Sequence, residues 1–95
     1  CDKAQFMQNK IGQRFHGIIC SVTNRGIYVE LPNTVQGMIS VEALPAGNYE
    51  TDGNIALKNL STSKRFTVGD EIEVEVTRCD ISRGTVDFSP IFDEN

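Results

Sequence analysis

The sequence predicts an all-β fold: a five-stranded antiparallel Greek-key barrel, with a short N-terminal helix and an inserted hairpin between strands 3 and 4. Three observations carry this prediction. Glu71 to Val76 alternates acidic and aliphatic residues, the pattern of a half-buried antiparallel strand. The first three strand-like runs are joined by tight turns, Asn24-Arg25-Gly26 and Pro32-Asn33. One long irregular stretch, 46–64, then separates them from a final hairpin. A meander, a long crossover and a closing hairpin match a small closed barrel, although a small sandwich would share that order.

Each element follows from local pattern. Asp2 to Ile11 reads as a short helix, with Asp2 as cap, Gln5 three residues on, and Ala4, Met7 and Ile11 on one face. Gly12 is its natural stop. The first strand runs from Arg14 to Thr23, where the contiguous Ile18-Ile19-Cys20 breaks strict alternation and implies a bulge. Ile27 to Leu31 is the second strand, with Ile27, Val29 and Leu31 inward and Tyr28 and Glu30 outward. Val35 to Ile39 is the third, and Ser40 to Leu44 a single helical turn ended by Pro45. Tyr49-Glu50-Thr51 and Ile55-Ala56-Leu57 flank Asp52-Gly53-Asn54, a hairpin signal. Asn59 to Lys64 is polar and reads as loop. Ile72, Val74 and Val76 point inward on the fourth strand, Val86 and Phe88 on the fifth, and Pro90 is expected to end the pairing. The architecture is that of the OB-fold. Residues 1–12 are expected to lead in from an upstream domain, 13–90 to form the barrel, and 91–95 to be a tail.

Composition narrows the function. The chain has 95 residues, enough for one domain. Lys and Arg number 9 and Asp and Glu 13, giving a net charge of −4, which on its face opposes a free-standing nucleic-acid binder. No apolar run is long enough to span a membrane. Three cysteines without CxxC spacing argue against a disulfide framework or a zinc site, and Cys20 and Cys79 are expected to pack as small hydrophobes. With no secretory leader in the sequence, a cytoplasmic location is expected. His16 is the lone histidine, and the Glu71-Glu73-Glu75 row reads as a solvated face, so no metal site is expected. No GxSxG, Walker or HExxH motif occurs, so these residues should hold neither a catalytic centre nor a cofactor.

One stretch is more specific. Gly17-Ile18-Ile19-Cys20-Ser21-Val22-Thr23-Asn24-Arg25-Gly26-Ile27-Tyr28-Val29-Glu30-Leu31 resembles the opening of an S1 RNA-binding domain, G-x-V-x-x-V-x-x-F-G-x-F-V-x-L. Gly37 to Val41 stands where that family has G-L-V-H-x-S, Val68 to Val76 is similar to G-D-x-V-x-V-x-V, and Val86 to Ser89 to I-x-L-S. Val29 to Gly37 is similar to the V-E-L-P-N-T-x-x-G stretch of the bacterial ribonuclease R family, and Met7 to Gly17 to its lead-in. The resemblance implies the RNA-binding barrel of a processive 3′-to-5′ exoribonuclease. Its catalytic domain, with Mg²⁺ held by aspartates, would precede Cys1.

Single-stranded RNA needs platforms for its bases and cations for its phosphates. The resemblance implies that Tyr28 takes the place of one family aromatic and Arg25 that of another; a guanidinium can also stack. Ser40 stands at a family histidine, Asp80 at an aspartate, and Arg83 one position before a family arginine. Lys64 and Arg65, before the fourth strand, could reach a phosphate, and Phe15 could be core or platform. The expected partners are single-stranded RNA and the parent chain's catalytic domain. The alternative is a protein-interaction OB-fold module that uses the Ala4-Met7-Ile11 face and the middle hairpin.

Overall fold

The inward aliphatics of the alternating strands close around one core in the computed structural model, which describes residues 3–92. In chain order the elements are α1 (Lys3–Gln8), β1 (Arg14–Thr23), β2 (Gly26–Glu30), β3 (Gln36–Ser40), a 3-10 turn (Val41–Ala43), β4 (Tyr49–Asp52), β5 (Ala56–Asn59), β6 (Arg65–Thr67), β7 (Glu71–Asp80) and β8 (Thr85–Ile91). Five strands form a closed barrel in the order β1-β2-β3-β8-β7. Ile19, Ile27, Val29, Ile39, Val74 and Val76 fill it, with Phe88 the largest of the fully buried side chains. The bulge implied by Ile18-Ile19-Cys20 lies between Ile19 and Ser21 in the β1–β2 ladder.

Several expectations are corrected. The barrel is not antiparallel throughout: β3 meets β8 in parallel at Met38↔Asp87, because the crossover returns the chain in the direction of β3. The expected hairpin forms from β4 and β5, and β6 adds a third strand to it in a separate sheet. Pro90 does not end the pairing; β8 continues through Val74↔Pro90 to Glu73↔Ile91. A proline is tolerated at a sheet margin, where its missing N–H leaves no ladder bond unmade.

Helix α1 stops at Gln8, so Ile11 leaves the expected apolar face and is 45% exposed, while Ala4 and Met7 are fully buried. The expected cap at Asp2 falls outside the described residues. A helix of 6 residues is marginal alone; packing against β7 and β8 holds it. After it the chain joins the barrel through Gly12 N–H to Val76 O at 2.8 Å and Val76 N–H to Gln13 O at 3.0 Å.

The inserted sheet is anchored by Asn59, which is 1% exposed. Its amide donates to Ala46 O at 3.1 Å and Tyr49 Oη at 3.2 Å, and its carbonyl accepts from the Ser61 and Thr62 amides at 2.9 and 3.2 Å. Cys20 and Cys79 are free and partly buried, and desolvation pushes both thiols above the usual range. Among the described residues, no helix is long and apolar enough to cross a membrane.

Candidate nucleic-acid interface

The outward faces of β2 and β3 meet the β7–β8 hairpin at a groove of about 640 Å³. Arg25 enters it from the β1–β2 turn, Tyr28 from β2, Met38 from β3, Asp80 from the end of β7 and Arg83 from the β7–β8 turn. β2 and β3 approach closely at Gly26, where an added Cβ would lie 2.2 Å from Ile39 O. The β7–β8 turn is fixed by Asp80, whose carboxylate accepts from Ser82 Oγ at 2.8 Å and the Arg83 amide at 3.1 Å. Those bonds, the hydroxyl first, hold the Asp80 carboxyl below the usual carboxylate range. Asp80 thereby shapes the turn that presents Arg83.

Arg78 also lines the groove, and the sequence reading missed it. Strict alternation through Ile72, Val74 and Val76 would turn residue 78 inward. A register shift between Val76 and Arg78 inserts one residue, so Thr77 and Arg78 are both exposed and Cys79 packs on the core instead. The signal was present: an arginine at an inward position contradicts the strand pattern unless a bulge intervenes. Met38 was missed for another reason, since only the closed barrel sets it between Tyr28 and Asp87.

Arg25, Arg78 and Arg83 form no ion pair among the described residues, whose ion pairs involve Arg14, His16 and Arg65. With Asp80 and Asp87 also lining the groove, three guanidiniums face two carboxylates. The groove is therefore net positive in a chain of net charge −4. Uncommitted guanidiniums beside an aromatic ring can engage phosphates and stack on bases.

The other sequence candidates lie elsewhere. Ser40 pairs with Gly26 on β3 and precedes the 3-10 turn, but does not line the groove. Phe15 pairs with Val74 and packs partly buried against the core. Lys64 stands over the rings of Phe66 and Phe92, at 5.8 and 5.4 Å. Arg65 opens β6 and is bound to Asp52 at 2.6 Å, which lowers the Asp52 carboxyl's pKa. The acidic row is not merely solvated: β1 sets His16 between Glu73, on Nδ1, and Glu71, on Nε2 at 2.5 Å. Arg14 Nε lies 3.7 Å from Glu75.

The S1 RNA binding domain model matches residues 8–90. The chain belongs to the S1 RNA-binding domain family. Its curated relatives include ribonuclease R 1 of Lactococcus lactis, 34% identical over 90% of this chain and 11% of the relative. Ribonuclease R of Aquifex aeolicus is 35% identical over 94% of this chain and 13% of the relative. The S1 domain thus spans only about an eighth of the length of such relatives. Among solved structures, Mycoplasma genitalium RNase R in complex with ribose methylated single-stranded RNA superposes with a TM-score of 0.85 at 23% identity, over 93% of this chain and 14% of that one. That likeness confirms the barrel fold.

Proposed function

We propose that the S1 domain holds single-stranded RNA in the Arg25–Tyr28–Arg83 groove and guides it for a processive 3′-to-5′ exoribonuclease of the ribonuclease R kind. One observation carries the reading: three guanidiniums without ion pairs among the described residues converge on a groove that Tyr28 also lines. A base stacked on Tyr28 contributes about 1–3 kcal/mol, and the arginines take phosphates with little regard for sequence. The relatives named ribonuclease R and the fold shared with an RNase R solved with single-stranded RNA support the same reading. The strand-cutting chemistry, and the Mg²⁺ it uses, belong to a catalytic domain outside this chain, which is the domain's second partner in the cytoplasm.

Fluorescence anisotropy with labelled single-stranded oligo(U), against a duplex RNA of equal length, tests the reading. Salt-sensitive binding of the single strand and weaker binding of the duplex are expected. No binding of the single strand at millimolar concentration contradicts it.

A protein-docking reading has its own observation. Ile18 and Val68, 48% and 39% exposed, line an apolar groove of about 590 Å³ with Leu31 and Pro32. The helix face first expected to serve that role is unavailable, because Ala4 and Met7 are buried within this domain.

A further inference from the structure

The groove extends farther round the barrel than the sequence motifs that mark it. Tyr28 pairs with Met38, Met38 with Asp87, and Asp87 with Arg78, so four residues on β2, β3, β8 and β7 form one row across the strands. Strands lie about 4.8 Å apart, so the row runs about 14 Å from Tyr28 to Arg78. Arg78 ends that row only because the bulge at Thr77 turns it outward, and the Thr77 hydroxyl bonds Asp87 O at 3.1 Å across the bulge.

We propose that Arg78 binds a backbone phosphate of the same strand whose base stacks on Tyr28, fixing the RNA across the barrel toward β7. The inference rests on the RNA reading above and goes beyond it by assigning a residue and a direction. Arg78 is exposed and has no ion pair among the described residues. Asp80, on the same strand, accepts from Ser82 Oγ and the Arg83 amide through one oxygen and also feels the charge of Arg78. Asp87 stands directly opposite Arg78 on β8. A guanidinium presents a planar fork of donors that suits a phosphate.

The test uses the full chain and labelled oligo(U), titrated from about 50 to 200 mM salt. Arg78→Gln should weaken binding about three- to tenfold and reduce the slope of log K against log salt by ~0.7, the contribution of one phosphate. Arg78→Lys should restore the slope, since it restores the charge. Unfolding midpoints of both variants should match the parent, because Arg78 is exposed. If Arg78→Gln changes neither affinity nor slope while Tyr28→Ala weakens binding, Arg78 is an ordinary surface residue and only this inference is overturned. If the parent chain binds no oligo(U), the RNA reading fails, and this assignment with it.

Discussion

Tyr28 and Met38 stand directly opposite one another on β2 and β3, both half-buried at the floor of one groove. The pair forms an apolar surface flanked by arginines. Tyr28→Ala should weaken single-stranded RNA binding by about 1–3 kcal/mol, the contribution of one stacked base. Its unfolding midpoint should stay close to that of the parent, because the ring lies outside the core. Anisotropy and thermal melts on the same preparation separate the two effects.

His16 should titrate above its ordinary value of 6.5, because Glu73 first and Glu71 second accept from its ring nitrogens. Both nitrogens can donate only in the imidazolium form. A raised folded-state pKa means that the stabilisation is fully present below about 6.5 and disappears as pH rises through the higher folded value. NMR of the His16 ring protons gives the midpoint directly. A midpoint at or below 6.5 would show that the two carboxylates do not hold the ring in solution.

Phe88 closes the barrel over Gly37, where an added Cβ would come within 2.6 Å of the ring. The ring is 2% exposed and has nowhere to move. Gly37→Ala should therefore destabilise by about 1–3 kcal/mol through overpacking, and Phe88→Ala by about 3–5 kcal/mol through a cavity. Urea denaturation measures both. A neutral Gly37→Ala would mean that β3 and β8 are less tightly apposed than the barrel requires.

Asn59→Ala should lower stability by roughly 1–3 kcal/mol in all, because the backbone partners of its buried amide belong to exposed residues that water can reach. The Ser61 and Thr62 amides lose their acceptor, and Ala46 O its donor. Hydrogen exchange should show the effect concentrated in 45–67, with the barrel amides less affected.

Much of the barrel was legible in the sequence because period-two patterns report burial directly. Ile27, Val29 and Leu31 on β2 and Ile72, Val74 and Val76 on β7 point inward as their alternation requires. What escaped depends on register between distant segments. The parallel Met38↔Asp87 closure, the clasp of His16 by Glu71 and Glu73, and the addition of β6 all join residues far apart in sequence. The site was legible in the same uneven way. Arg25, Tyr28, Asp80 and Arg83 converge on the groove, whereas Ser40, Phe15, Lys64 and Arg65 do not line it. Arg78 was hidden by a single inserted residue that reverses the facing of the strand after Val76.

The central claim is that one groove holds RNA. Amide chemical-shift mapping of the ¹⁵N-labelled chain with unlabelled oligo(U) tests it most directly. Shifts confined to Arg25–Tyr28, Gln36–Met38 and Arg78–Asp87, with His16, Ile18 and Val68 unmoved, are the expected result. Shifts centred on Ile18 and Val68, or none at millimolar RNA, would contradict it.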